Sequence, residues 1–328
     1  MVSKTFLIAL LFVLSLNPTN LPGQDSGCTK RSVAVSVVDR EWNLVQGLSA
    51  ANFRGKLRGR EVEILSAFID TSPRRIVLLL DASGSMIQEQ WEAAKSISKD
   101  LIWFAPARAS IAQMAFSETV LDTVGFDQDQ PALLKHLADL LKLCEQPRKT
   151  RRTALFDAIA NARGTFGRFE FGDVIFAVTD GGDNRSRTEP KRAEGDLLQG
   201  GVRLFCALLP GEAYGTRARV SAESEGANRL VSMVEVTGGD MLAVPYSAAS
   251  EPYRYIKAKT KDEAVSVALR RLFEEVGTPY RLELRLPVTL DKPTKWNLDV
   301  IEANGKPGRR VEVHYPQQLM PCGEARLK

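Results

Sequence analysis

The sequence predicts an α/β fold: a doubly wound, mostly parallel sheet of six strands flanked by helices, joined to a small β module. Apolar strand patterns alternate with helical patterns from residue 76 to about residue 276, which is typical of a parallel sheet. On either side of this region, apolar and polar residues alternate with a period of two. We therefore expect strands from both ends of the chain to pair in one separate β module.

The composition is that of an ordinary globular protein. The chain has 328 residues, 44% of them hydrophobic, and a formal net charge of +4. This length allows one large and one small domain, and the charge is too small to indicate binding of nucleic acid. A basic run at residues 148–152 is interpreted as a solvated loop, and the alternative is that it steers acidic ligands towards a nearby site.

Residues 1–24 are typical of a cleavable secretory signal peptide. Lys4 supplies the positive start, residues 5–16 the apolar run and residues 17–24 a polar exit. An apolar run of this length is too short to span a bilayer. Lipid attachment at Cys28 is an alternative, but Asp25 stands where an apolar residue is expected. The protein is thus predicted to act outside the cytoplasm, in the periplasm or secreted.

The chain divides into a β segment at 28–72, an α/β domain at 74–277, a β segment at 278–316 and a polar, poorly ordered tail at 317–328. Two strands of the α/β domain are joined closely enough to form an antiparallel edge hairpin, and Gly238 ends a helix. The predicted strands of this domain are 76–80, 109–116, 119–124, 174–180, 202–209 and 241–244. The predicted helices are 88–104, 131–143, 153–166, 189–199, 227–236 and 261–276.

The strand at 76–80 leads into a turn rich in oxygen donors, in the sequence RRIVLLLDASGSM. Asp81, Ser83 and Ser85 place one carboxylate and two hydroxyls at alternating positions after this buried strand. Such hard oxygen ligands suit Mg²⁺ or Ca²⁺. Taken alone, the same residues could simply cap a strand-to-helix turn.

Two later segments complete the pattern. Thr153 opens the helical segment TALFDAI, and Asp180 ends the apolar strand of VIFAVTDGGDN. Together with DASGSM, these segments resemble the three loops of a von Willebrand factor type A (vWA) domain with its metal-ion-dependent adhesion site (MIDAS). The resemblance implies a Rossmann-like vWA fold and a site for Mg²⁺, or Mn²⁺ or Ca²⁺. It implies five metal ligands: Asp81, Ser83, Ser85, Thr153 and Asp180.

The first β segment carries a second resemblance, in its hydrophobic pattern and in Gly47, Leu48 and Phe53. It is similar to the small β module that precedes the adhesion-type domain in bacterial secreted proteins known as VWFA-related, which are common in Acidobacteria. The two resemblances together imply a bacterial, exported vWA protein.

Three hydroxyls and two carboxylates leave a divalent ion electrophilic, and one position can pass to an external carboxylate. The sequence therefore favours a non-enzymatic adhesion or interaction module that binds an Asp or Glu side chain of a protein partner. One alternative is a structural or assembly subunit of a cell-envelope complex, in which the metal mainly stabilises the fold. The second alternative is a secreted hydrolase, but the sequence has only two imidazoles, those of His136 and His314, and no hydrolase motif is present.

Two further aspartates lie near the predicted ligands. Asp183 is either a ligand-orienting residue or a turn residue, and Asp157 is interpreted as supporting the start of its helix. Four cysteines in an exported chain allow three pairings. Cys28 and Cys322 flank the two β segments, so a disulfide between them is the favoured pairing. Cys206 is expected to be a buried apolar residue, and the state of Cys144 is not predicted.

Overall fold

The computed structural model describes residues 28–106, 108–144, 152–209, 222–244, 261–301 and 311–322. The predicted signal peptide lies outside the described residues, as does most of the basic run at 148–152. The β-strands are β1 (Lys30–Asp39), β2 (Phe53–Leu57), β3 (Arg60–Ile69), β4 (Arg74–Asp81), β5 (Ala109–Phe116), β6 (Val120–Val124), β7 (Val174–Thr179), β8 (Arg203–Leu208), β9 (Met241–Ala243), β10 (Tyr280–Arg285), β11 (Thr294–Val300), β12 (Val311–His314) and β13 (Gln318–Leu319). The α-helices are α1 (Gln88–Phe104), α2 (Gln130–Cys144), α3 (Leu155–Phe166), α4 (Pro190–Gly200), α5 (Ala222–Thr237) and α6 (Lys261–Gly277).

The α/β domain contains the predicted six-stranded sheet, in the order β6-β5-β4-β7-β8-β9. Every neighbouring pair is parallel except β5 and β6, which form the predicted antiparallel edge hairpin. Strand β4 lies in the middle of the sheet, where its apolar run is buried on both faces. The predicted fold class is confirmed.

Successive residues of β4 supply the cores on the two faces of this sheet. Leu78 and Leu80 pack with residues of α1, α2 and α6 on one face. Val77 and Leu79 pack with residues of α3, α4 and α5 on the other. This burial of apolar area stabilises the sheet independently of the polar loops at its edge.

A second, seven-stranded sheet has the order β12-β1-β10-β3-β2-β11-β13. The sheet contains strands from both ends of the chain, and β10 lies between β1 and β3. The predicted β module built from both ends of the chain is confirmed. Its core includes Phe53, Leu282, Trp296 and Leu298.

Part of the stretch predicted as a poorly ordered tail is an edge strand. Strand β13 pairs with the start of β11, with Thr294 opposite Leu319. The indole of Trp296 donates to the Pro316 carbonyl oxygen at 2.6 Å. Leu319 is buried, so the apolar contact and the ladder together order this short segment.

The two sheets are joined along a seam on which β1 lies. Residues 33–38 of β1 are all buried, including those on the side of the strand that carries Ser36. The α/β domain covers that side, where the buried guanidinium of Arg203 donates to Ser36 Oγ at 3.0 Å. The same guanidinium donates to the Glu275 carbonyl oxygen at 3.1 Å. At another point of the seam, Gln317 N–H donates to the Val236 carbonyl oxygen at 2.9 Å.

The cysteines follow the prediction in part. Cys28 and Cys322 are free thiols, so the predicted disulfide is not formed, but they are neighbours. A hydrogen bond with the Cys322 thiol raises the pKa of Cys28. Cys206 is fully buried, as predicted, and this burial raises the pKa of its thiol. The side chain of Cys144 lies outside the described residues.

No helix in the described part of the chain is long and apolar enough to cross a membrane.

Candidate metal centre

The two predicted carboxylate ligands lie side by side at the carboxyl edge of the six-stranded sheet. Strands β4 and β7 are parallel neighbours, with Leu80 opposite Val178, so both strands end at the same level. Asp81 is the last residue of β4, and Asp180 directly follows β7. Ligand sites in doubly wound sheets lie at this edge. Burial, together with the charge of Asp180, raises the pKa of Asp81 to about 7.

Hydrogen bonds fix the orientation of the Asp81 carboxylate. Its Oδ1 accepts from the Ser83 backbone N–H at 2.9 Å, and its Oδ2 accepts from the Thr179 hydroxyl at 2.6 Å. The Thr179 oxygen in turn accepts from the Gly181 N–H at 3.0 Å, which links Asp81 to the turn after β7. Hydrogen bonds from the protein thus hold both carboxylate oxygens in place without a cation.

Two of the predicted hydroxyl ligands are adjacent on the loop between β4 and α1. The Oγ atoms of Ser83 and Ser85 are 2.7 Å apart. Oxygen ligands at right angles around Mg²⁺ lie roughly 3 Å apart, given bond lengths near 2.1 Å. The serine pair therefore needs only a small adjustment to share one ion.

Thr153 carries the buried polar atom that best fits a cation. Its side chain is 1% exposed, and its Oγ1 has no hydrogen-bond partner within the part of the chain that the structure describes. A buried hydroxyl without a partner costs about 1–3 kcal/mol. A metal ion would satisfy this oxygen, so the residues present fit a divalent cation of the hard, oxygen-preferring class.

The backbone around Thr153 is tied to the neighbouring loops. Its N–H donates to the Asn184 side-chain oxygen at 3.0 Å, and its carbonyl oxygen accepts from the Asn184 and Arg185 N–H groups at 3.0 Å. Ala154 N–H donates to the Ser117 carbonyl oxygen at 2.8 Å. These bonds hold the Thr153 loop against the loop after β7, in which Asp180 lies, and against the end of β5.

The two secondary aspartates have structural contacts. Asp183 accepts from the Phe156 N–H at 3.1 Å and from the hydroxyl and N–H of Ser186, so it caps α3 and closes a turn. Asp157 accepts from the N–H groups of Arg187 and Thr188 at 3.0 and 2.7 Å. Both aspartates therefore hold the loop after β7 against the start of α3.

Thr179 and Asn184 were missed by sequence reasoning. Thr179 is the last residue of β7, and nothing in the apolar run before it marks its hydroxyl as an Asp81 partner. Asn184 belongs to the quoted segment VIFAVTDGGDN, but its bond to Thr153 depends on two loops meeting. Both residues orient predicted ligands without being ligands themselves.

Thr179→Val is expected to lower the affinity for Mg²⁺ by about 10- to 100-fold, the usual effect of removing a partner that orients a metal ligand. The variant keeps the side-chain shape but removes the donor to Asp81 Oδ2. Isothermal titration calorimetry measures the change. Thr123→Val, at an exposed position of β6, is the matched control. An unchanged affinity in Thr179→Val would mean that this hydroxyl has no part in metal binding.

The fold and the site define a class: a doubly wound α/β domain with a hydroxyl-and-carboxylate cluster at the carboxyl edge of its sheet. A family model for the von Willebrand factor type A domain matches residues 76–231, which include all five predicted ligands. This part of the chain is a von Willebrand factor type A domain.

Solved structures with a similar fold come from several sources. The protein BatB from Bacteroides thetaiotaomicron is 16% identical, with 62% of this chain and 98% of that chain covered and a TM-score of 0.44. A von Willebrand factor type A protein from Catenulispora acidiphila is 13% identical, with 87% and 74% covered and a TM-score of 0.43. Proximal thread matrix protein 1 from the mussel byssus, solved with a zinc-occupied MIDAS motif, is 17% identical, with 67% and 50% covered and a TM-score of 0.44. No curated protein sequence matches the chain.

Proposed function

We propose that this chain is an exported, non-enzymatic module that binds a protein partner through a divalent ion. The observation that carries the proposal is the buried Thr153 hydroxyl, which has no hydrogen-bond partner among the described residues and lies in a loop tied to the Asp180 loop. Domains of this family are in general interaction modules. The proposed ligands are Asp81, Ser83, Ser85, Thr153 and Asp180.

The donor set explains why a partner would be attracted. Mg²⁺, Mn²⁺ or Ca²⁺ would be held by oxygen atoms alone, and its charge would be balanced by Asp81 and Asp180. The hydroxyl ligands add no negative charge. The ion therefore keeps an affinity for one more anionic oxygen, and an Asp or Glu side chain of a partner protein supplies it.

The positions of the two histidines favour binding over hydrolysis. His136, on α2, contacts Gln113 Oε1 through Nδ1 at 2.6 Å and Asp122 Oδ2 through Nε2 at 3.2 Å. His314, on β12, contacts Glu275 on α6. Neither imidazole contacts a hydroxyl of the candidate metal centre within the described part of the chain, so no histidine there is placed as a general base for a serine.

A pull-down from the envelope fraction of the source organism tests the proposal. The native chain is immobilised and exposed to that fraction in Mg²⁺ or in a chelator, with Asp81→Asn as the matched control. Proteins retained only by the native chain and only with Mg²⁺ would support an ion-mediated interaction. If metal raises the melting temperature but changes no retained protein, the ion is structural and the assembly-subunit alternative replaces this proposal.

Thr153→Ala is expected to weaken partner binding more than metal binding, by about 1.5–3 kcal/mol, the range for an interaction with a charged group. The reason is that a neutral hydroxyl on the ion adds no charge and leaves the ion more attractive to a partner carboxylate. Calorimetry measures the affinity for the metal, and titration with the retained partner protein measures the affinity for that partner.

Thr153→Ser keeps the hydroxyl and is the matched control for this pair of measurements. It is expected to behave like the native chain in both. Equal losses of metal and partner affinity in Thr153→Ala would show that Thr153 only helps to hold the ion.

A further inference from the structure

A second group of metal-ligating side chains lies on the seam between the two sheets, away from the candidate metal centre. Asp240 precedes β9, Glu275 lies on α6 and His314 ends β12. One ligand atom from each lies within 4.8 Å of the other two. His314 Nδ1 is 2.8 Å from a Glu275 carboxylate oxygen, and its Nε2 is 3.4 Å from a carboxylate oxygen of Glu312.

The backbone holds these side chains in a fixed arrangement. A Cβ atom at Gly239 would overlap the carbonyl oxygen of Leu204, and one at Gly238 would overlap the backbone of Tyr315. Such close approaches explain the glycines and place Asp240 firmly between the two sheets. Its carbonyl oxygen accepts from the Cys206 N–H at 3.2 Å. The site residues therefore lie on packed segments of the α/β domain and of the β module.

The charges of this group are unequal. Three carboxylates, those of Asp240, Glu275 and Glu312, surround the single imidazole of His314. The nearby Arg203 guanidinium donates to Ser36 and to the Glu275 main chain, and its positive charge also interacts with the Glu275 carboxylate without a direct ion pair among the described residues. Glu275 is buried, Asp240 is half-buried and Glu312 is exposed, so a cation at this point would compensate mainly the carboxylates of Asp240 and Glu275.

A cavity gives access to the group. It has a volume of about 230 Å³ and is lined in part by Asp240, Glu312 and His314, and also by Glu235 and Gln317. This space is large enough for a hydrated ion to enter and for water to complete its coordination. The cavity lining is acidic, which favours a cation over an anionic ligand.

We propose that Asp240, Glu275 and His314 bind a first-row divalent metal ion of the Zn²⁺ class, which fastens the β module to the α/β domain. Imidazole nitrogen with carboxylate oxygen is a donor set that Zn²⁺ accepts and Mg²⁺ does not prefer. The ion takes the place of the proton between His314 Nδ1 and Glu275, and that proton is released to solvent. Small movements of the three side chains bring their ligand atoms to Zn²⁺ distances of about 2.0–2.2 Å.

The experiment uses the full chain carrying Asp81→Asn, so that the first site does not compete. Titration with Zn²⁺ in excess Mg²⁺ is expected to show one equivalent bound, and Co²⁺ is expected to give ligand-field absorption bands. Asp240→Asn and His314→Gln should each lower the Zn²⁺ affinity at least 100-fold. His136→Gln is the matched control, because among the described residues His136 contacts a single carboxylate, that of Asp122, and its loss should leave Zn²⁺ binding unchanged.

A second measurement leaves all three proposed ligands intact. The chain has two histidines, so the variant with both Asp81→Asn and His136→Gln keeps a single imidazole, that of His314. Its ring nitrogen resonances, observed by nitrogen-15 NMR, should shift when one equivalent of Zn²⁺ is added. Unmoved resonances, or no Zn²⁺ binding in excess Mg²⁺, would overturn the proposal even if the ligand variants fail to fold. Neither result would bear on the Mg²⁺-dependent function.

Discussion

Asp81→Asn is expected to lower the affinity for Mg²⁺ at least about 100-fold, because it removes one of two charged groups that hold the ion in place. The fold should persist, since the carboxamide keeps the size of the side chain and the sheet depends on apolar burial of residues such as Leu79 and Leu80. Calorimetry with Mg²⁺ and Mn²⁺ and circular dichroism measure the two properties. Asp139→Asn, at a solvent-exposed position of α2, is the matched control. An unchanged affinity would remove the metal-site interpretation.

The same variant has a second readout in the pH dependence of stability. Burial and the charge of Asp180 raise the pKa of Asp81 from 3.8 to about 7 in the folded protein. The metal-free native chain therefore binds a proton more tightly when folded, so its stability falls as the pH rises from about 4 to 7. The Asp81→Asn variant has no ionisable group at this position, so its stability does not fall in this way as the pH rises. Its melting temperature should exceed that of the metal-free native chain at pH 8, and the difference should shrink by pH 5.

Deletion of residues 280–328 is expected to cause aggregation. It removes β10, which lies between β1 and β3, and it removes β11, which pairs with β2. The remaining strands of the β module would then expose unpaired edges and apolar side chains that Leu282 and Trp296 now cover. Size-exclusion chromatography with light scattering measures the outcome.

Deletion of residues 318–328 is the control for this experiment. It removes β13, which lies at one edge of the seven-stranded sheet, and leaves β10, β11 and β12 in place. This shorter chain should stay soluble with its strand content nearly intact. A chain lacking residues 280–328 that also stays monomeric, with full strand content, would show that the amino-terminal strands fold without their partners.

The fold class follows from local patterns that need no tertiary information. Apolar runs such as residues 76–80 can be buried only in a sheet that is covered on both faces, and helical patterns between them supply the cover. The five predicted ligands are also local, because each stands at a strand end or helix start where the carboxyl edge of the sheet must lie. Their resemblance to a known motif then identified the domain family.

The tertiary structure decided which distant residues meet. Thr179 and Asn184 orient predicted ligands only because three loops converge at one edge. Asp240 precedes β9, Glu275 lies on α6 and His314 ends β12, and no sequence periodicity links these three segments. The α/β domain covers one side of β1, where Arg203 donates to Ser36. Local sequence determines which faces are apolar, whereas burial of those faces against each other determines the contacts, and these contacts depend on the whole chain.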